Sequence, residues 1–516
     1  MRWITAALVA LLVQGLPLAA EPLLWFDGAW LSPRAEQAVA LLTDATSHGL
    51  EPVEYDADRL AREVARARGV ELDPAALAAL DRRLTAAMER YLTDLHSGRI
   101  APEQLPRGYV EPKRAYFDAA VALRTALAYN RLEEAAREVA PRFAQYERLR
   151  EALAHYRTLA SHPAWQSSLP ALPPGRRGTP PKLEAGQPYA GVALLRERLI
   201  ALGDLPATTP PSALYDEALA AGVRAFQQRH GLATDGALGK ATFAQLQVPP
   251  TARVRQLELM LERLRWTPLL QGPRMIVINI PEFTLRAYEV DGERIVVRET
   301  MKIIVGKALN TRTPMFAEQM RFIEFQPFWN VPPSIARGEV VPRLRRDPAY
   351  WEREGFEFVV GSNVVTALSA TLLDETVAGR ARIRQRPGPK NALGDVKFVF
   401  PNNENIYLHH TPAVSLFARD RRDFSHGCIR IERPAALALF VLQDRPEWTE
   451  ERVRAAMSDG ASTTLRLAEP IPVLIAYGTA MVKEGRVHFY EDIYGQDRRL
   501  DAALRERRPA PPPLTQ

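Results

Sequence analysis

The sequence is almost without cysteine: Cys428 is the single one in 516 residues. That excludes an internal disulfide, and it makes a lone thiol in an exported chain a liability unless it is buried or used. Nor is there a second apolar run of about 20 residues beyond the N-terminus, so no transmembrane helix is predicted for the mature chain, which is expected to be soluble. A block of lysine or arginine of the kind that tracks phosphates is also absent. The net charge of +6 and pI of about 9.3 are spread over the chain, which argues against a nucleic-acid partner and for a mixed, solvated surface. No HExxH pair is present, so the usual helix-borne zinc site of a metallopeptidase is not encoded.

What is present begins with an export signal. Arg2 precedes an apolar stretch from Ile4 to Leu18, and the small residues Ala19 and Ala20 precede Glu21. This reads as a signal peptide over 1–20 with export to the periplasm. Leu18 at the −3 position of the cut leaves an uncleaved anchor as the alternative. No cysteine near this cut permits lipoprotein processing.

Length suggests about three domains. Residues 22–164 carry apolar residues at helical spacing, as in Ala75 to Leu92 and Ala119 to Leu132, and predict a helical scaffold. Residues 165–188 are rich in proline, glycine and charge and read as a linker. A compact helical unit follows over 189–248, then a linking helix over 253–266. From 273 to 477 the pattern changes to short strands separated by turns, as at Met275–Ile280, Ile295–Val305, Val396–Phe400 and Ile406–His409. The expected class is multidomain α+β, with a β-sandwich-like domain at 273–477 interrupted by a charged insertion at about 332–389. Residues 478–516 form a C-terminal extension whose Pro-rich end, from Pro509, is expected to be disordered.

Two stretches carry specific chemistry. Residues 189–248, with VALLRERLIALGDL and AGVRAFQQRHGLATDGALGKATFAQL, resemble the small three-helix peptidoglycan-binding domain family. Ile406-Tyr407-Leu408-His409-His410 is followed, fifteen residues after His409, by Ser425-His426-Gly427-Cys428-Ile429-Arg430. This resembles the catalytic motif of the L,D-transpeptidase (YkuD-type) family. FWNVPPSIA, RPGPKNALGDVKFVFPN and the stretch from Pro472 to Asp497 are similar to its large YcbB-like subgroup, which combines scaffold, wall-binding module and catalytic domain.

A free thiol is only a few per cent ionised at neutral pH, so a cysteine nucleophile needs a base within reach. Cys428 and His409 are the expected nucleophile and base. Gly427 lets substrate approach closely, and its N–H with that of Cys428 would form an oxyanion hole, with Tyr407 as a further donor. The resemblance implies that the His410 backbone carbonyl orients His409. Family members more often have Gly or Asp at that position. Arg430 is placed to hold a substrate carboxylate, against a plain surface pairing with Glu432. Ser425 and His426 are grouped with the substrate-binding residues, though shaping the loop is their other reading. Trp329 has two readings as well, stacking on substrate or packing in a core.

The resemblance implies transfer between peptidoglycan tetrapeptide stems, donor and acceptor, to give 3-3 cross-links. No cofactor or metal is needed, and carbapenems are expected to acylate the thiol. Water or a lipoprotein lysine as acceptor are the alternatives within the family, and partners in cell-wall synthesis stay open. Outside it stand a zinc peptidase built on His409, His410, His426 and Cys428, and a non-catalytic wall-binding scaffold. Adjacent strand residues point to opposite faces, which sets His409 and His410 apart and counts against the first.

Overall fold

A computed structural model describes residues 23–105, 117–175, 179–268, 272–292, 294–309 and 311–507. The expected signal peptide and the tail from Pro509 lie outside them. Two compact units emerge. One comprises the residues up to Ala45 with Glu51–Thr93 and Asp118–Val139; the other comprises Thr46–Leu50, Asp94–Phe117 and everything from Ala140. Among the described residues no helix is long and apolar enough to cross a membrane.

The first unit is helical, as its spacing predicts. Ser32 caps Pro33–Thr43 by accepting from the Arg34 N–H, and Pro33 sits where its missing N–H costs nothing. Ala57–Ala67 buries Leu60, Val64 and Ala67 along one stripe. The expected run from Ala119 to Leu132 is interrupted. Ala119–Ala128 ends at Tyr129, Asn130 adopts a left-handed φ of 53°, and Leu132–Val139 starts anew.

In the second unit the module is three helices, Val192–Ala201, Glu217–Arg229 and Lys240–Gln247, around Leu195, Leu199, Leu219, Val223 and Phe226. Leu169 and Leu183 from the expected linker are buried in that same core, so the linker is anchored to the module at two points. The helix Ala144–Leu159, which the sequence groups with the scaffold, packs along Pro250–Trp266. The C-terminal extension folds as a hairpin, Ala480–Lys483 with Arg486–Phe489, and a helix, Gln496–Arg507. The hairpin fastens the module: Arg229 and Arg486 both bind Asp204.

The β-rich region is one nine-stranded sheet: β1 (Arg274–Asn279), β2 (Thr284–Asp291), β3 (Arg294–Gly306), β4 (Phe316–Phe325), β5 (Val396–Val399), β6 (Leu408–His409), β7 (Asp423–Ser425), β8 (Ile429–Ile431) and β9 (Thr463–Ala476). Their order is β7-β3-β8-β6-β5-β4-β9-β1-β2. The long strand β3 also pairs with β2 over its first part, so the sheet folds round on itself and encloses Ile278, Leu285, Met320, Ile323, Phe398 and Ile475. The insertion between β4 and β5 has its own four-stranded sheet, Asn363–Val365, Phe356–Val360, Arg382–Gln385 and Trp329–Asn330 in that order. Its own core includes Val341, Leu344, Trp351, Phe356, Phe358 and Ile383.

Pro250–Trp266 carries a buried charge at the centre of the second unit. The Glu262 carboxylate accepts from the backbone N–H groups of Arg99 and Ile100, from Arg99 Nε and from Arg265 Nη1, with all three side chains fully buried. Burial alone would raise its pKa. Arg265 and Arg99 outweigh that and hold it below the usual carboxylate range. Glu262→Gln removes the carboxylate charge that Arg265 and Arg99 share and is expected to destabilise the protein by about 3 kcal/mol. Chemical denaturation measures this, and a loss below about 1 kcal/mol would mean the site is effectively solvated.

Candidate active site

Strand pairing decides which side chains can meet. In β6, His409 stands opposite Lys397 of β5 and Arg430 of β8, while Leu408 stands opposite Phe398 and Ile429. Opposed residues share a face and neighbours along a strand alternate. Phe398, Leu408, Ile429 and Ile431 therefore form the core face, all fully buried. Lys397, His409 and Arg430 share the other face. The ladder continues through the Ile429 N–H donating to the Tyr407 carbonyl (3.1 Å), and the alternation adds Tyr407 and Cys428 to that second face.

The loop between β7 and β8 presents the thiol. Ser425 Oγ donates to the Cys428 carbonyl (2.6 Å) and accepts from the Gly427 N–H (3.1 Å). Gly427 has φ +120°, which other residues rarely adopt, and an added Cβ would also press on Ile406 at 3.3 Å. From outside, Thr311 Oγ1 donates to the Ser425 carbonyl (2.9 Å) and Thr313 Oγ1 to the Gly427 carbonyl (2.7 Å). Tyr494, from the C-terminal extension, donates to the Gly306 carbonyl (2.6 Å) beneath them.

His409 is 4% exposed. Its Nδ1 lies 2.5 Å from the His410 carbonyl. That nitrogen therefore carries the proton, and Nε2 holds the lone pair a base needs. The His410 side chain points elsewhere: its Nδ1 meets Asp395 Oδ1 at 2.8 Å, and its N–H donates to the Val396 carbonyl. Gly394 makes room for it, since a Cβ there would come within 2.8 Å of His410 Cβ, and its φ of +66° suits glycine.

Burial, then the charge of Arg430, pushes the His409 pKa down to about 3. Burial also raises the Cys428 thiol above its ordinary value, against hydrogen bonds from Tyr407 and the charges of Lys397 and Arg430. Burial and the neighbouring Cys428 raise the Tyr407 hydroxyl, so it stays a donor. The resting site thus holds a neutral thiol and a neutral imidazole on one face, which suits proton transfer during attack rather than a standing ion pair. The thiol itself reaches toward the Asn405 carbonyl (3.6 Å).

Cys428, His409, Tyr407 and Arg430 thus lie together on one face. Arg430 Nε is buried with no partner among the described residues. Ser425 is 2% exposed and its hydroxyl is spent within the loop, so it shapes the loop and is not placed to bind substrate. His426 Nε2 meets Glu339 Oε1 of the insertion at 2.7 Å. Trp329 packs on the insertion's core, which favours the second of its two readings. The Gly427 N–H, expected in the oxyanion hole, is engaged by Ser425 Oγ. The sequence reading did not single out Thr311, Thr313, Asn405 or Lys397. Only the pairing of distant strands reveals them, although Lys397 lies within the quoted RPGPKNALGDVKFVFPN stretch. Among the described residues no group of three or more His, Cys, Asp or Glu is arranged to hold a metal ion.

Residues 273–449 match the YkuD family model, described as the L,D-transpeptidase catalytic domain. Residues 19–153 match the Scaffold domain and 188–246 the "Putative peptidoglycan binding domain". A "Putative L,D-transpeptidase" of Haemophilus influenzae is 31% identical over 250 residues, 48% of this chain and 49% of that protein, so the match spans about half the relative's length. Among solved structures, a fused Zn-dependent amidase/peptidase/peptidoglycan-binding domain-containing protein of Clostridium acetobutylicum is 12% identical with a TM-score of 0.17, covering 58% of this chain and all (100%) of that one. Bdellovibrio bacteriovorus Bd1075 is 16% identical with a TM-score of 0.17, covering 46% of this chain and 55% of that one. Both overlays are too loose to bear on the fold. The chain thus carries a region that matches the YkuD L,D-transpeptidase catalytic domain, together with matches to a Scaffold domain and a peptidoglycan-binding domain, and it is similar to a putative L,D-transpeptidase.

Proposed function

We propose that this protein is a peptidoglycan L,D-transpeptidase that forms 3-3 cross-links between stem peptides through an acyl-enzyme on Cys428. One observation carries the reading: Cys428, His409, Tyr407 and Arg430 share one face of two paired strands, with the His409 proton held on Nδ1. In the proposed reaction Cys428 Sγ attacks the carbonyl carbon between the third and fourth residues of a tetrapeptide stem. His409 Nε2 takes the thiol proton and passes it to the leaving nitrogen. The amide C–N bond breaks, D-Ala departs and a thioester remains. The side-chain amine of a diaminopimelate on a second stem then attacks the thioester, an amide forms, and the thiol regains its proton.

Tyr407 donates toward sulfur or the developing oxyanion, as does the Cys428 N–H. The Gly427 N–H joins them if substrate displaces Ser425 Oγ. Arg430 supplies an unpaired, buried guanidinium nitrogen for a stem carboxylate. The peptidoglycan-binding domain supports wall as the substrate. Export to the periplasm by the N-terminal signal belongs to the same reading.

The insertion is proposed as a lid. It has its own core, its Glu339 meets His426 two residues before the nucleophile, and its return strand leads through 386–395 to the Gly394 and Asp395 that hold His410. Closing over a bound stem would exclude water, so that an amine resolves the thioester.

Incubation with purified tetrapeptide muropeptides, followed by mass analysis, tests the function. The native chain is expected to release D-Ala and yield cross-linked dimers. Cys428→Ser should lose turnover by more than about a hundredfold, because an alcohol is far less acidic than a thiol. Activity within about tenfold of the native level would remove Cys428 from the mechanism. For the lid, residues 333–384 are replaced by a short Gly-Ser bridge. Acylation by a small carbapenem should persist while hydrolysis rises at the expense of cross-linking; an unchanged ratio in the folded variant sinks the lid.

A further inference from the structure

The strands that carry the thiol also bring a lysine to it that the reaction above leaves unused. Lys397 lies on the same face as His409, directly opposite it across β5 and β6. On its other side Lys397 stands opposite Glu324 of β4, and its Nζ lies 3.1 Å from Glu324 Oε2. The ammonium also sits 4.7 Å from the centroid of the Tyr407 ring. Carboxylate, ammonium and phenol thus form a row across three neighbouring strands. The pair is largely sheltered, with side chains 18% and 26% exposed.

Tyr407 is held from a second direction. Its ring meets that of His409 edge-on, with centroids 5.7 Å apart. Its hydroxyl hydrogen-bonds the Cys428 thiol. A ring gripped by a cation on its face and an imidazole at its side has little freedom to swing its hydroxyl off the sulfur. A cation over the ring also draws electron density from the phenol and strengthens its O–H as a donor. The positive potential of Lys397 acts on sulfur directly as well, favouring negative charge there.

We propose that Lys397, braced by Glu324, is a positioning residue for the nucleophile: it fixes Tyr407 as the hydrogen-bond donor to Cys428 and supports the negative charge that sulfur acquires in attack. The inference rests on Cys428 being the nucleophile. A role in holding substrate fits less well, because the Lys397 ammonium already has a carboxylate partner, whereas Arg430 has a guanidinium nitrogen without one. The charged and titratable groups acting on the thiol are Tyr407 at β6, Lys397 of β5 and Arg430 of β8, and His409 stands on the same face between Lys397 and Arg430.

The test is the rate at which iodoacetamide alkylates Cys428 in the full-length chain, followed across pH by intact mass, for the native protein and for Lys397→Met and Lys397→Arg. Only thiolate reacts, so the rate reports sulfur ionisation. Lys397→Met should move the profile to higher pH and slow alkylation on its lower limb by roughly three- to tenfold, the effect of half to one pKa unit. Lys397→Arg, which keeps the charge over the ring, should stay near the native profile. Should the methionine variant fold poorly, Lys397→Gln is read the same way. A folded, uncharged variant with the native profile overturns the proposal. So does a variant whose KM for muropeptide rises while its alkylation profile stays native, since that is the signature of substrate binding. The alkylation readout uses no muropeptide. A chain that shows this lysine dependence yet cross-links no stems upholds the placement of Lys397 and retires the transpeptidase reading.

Discussion

The parallel pairing of β6 with β8 is the contact on which the site depends. It joins Leu408 to Ile429 and His409 to Arg430, and it is short, two residues on one side and three on the other. Its register is fixed from behind. Leu408, Ile429 and Ile431 are fully buried in the sheet's core, and a slip of one position would turn them outward and carry His409 and Arg430 inward. The hydrophobic core therefore sets the geometry of the candidate site, because the side chains that cannot leave the interior decide where those on the opposite face must stand. The flanking contacts serve the same register: Thr311 and Thr313 hold the loop that delivers Cys428, and the His410 carbonyl fixes the His409 ring.

Burial then decides the protonation states. The imidazole is enclosed beside Arg430 and stays neutral; the thiol is largely enclosed and stays protonated. Neither charge exists at rest, so neither requires solvation, and in the proposed mechanism the proton moves only as a carbonyl carbon arrives to take the sulfur's electrons. A resting thiol also resists oxidation, which proceeds through the thiolate.

Much of this was legible in the sequence because the motif is compact. His409, Gly427, Cys428 and Arg430 lie in two short segments, and each residue type has few other reasons to occur in that order. The longer strands follow from alternation, and the three helices of the module from their apolar spacing. What was not legible depends on distant pairing. β7 and β8 are three residues each and show no periodicity within Ser-His-Gly-Cys. Thr311, Thr313 and Lys397 acquire meaning only once β3 lies beside the catalytic loop and β5 beside β6. For Trp329 the sequence left stacking on substrate and packing in a core both open, and only its strand, which joins the sheet of the insertion, favours packing. The C-terminal extension carries no motif to announce that Asp204 and Arg486 would tie it to the module.

The central claim, a thiol and an imidazole that are both neutral at rest, is tested most directly by titrating the ultraviolet absorbance of the Cys428 thiolate in the resting full-length chain, with Cys428→Ser as the blank. The account predicts no thiolate at neutral pH and a single rise above the ordinary thiol range. A thiolate signal already present at neutral pH and abolished by His409→Ala would contradict it, because that result requires a standing thiolate–imidazolium pair.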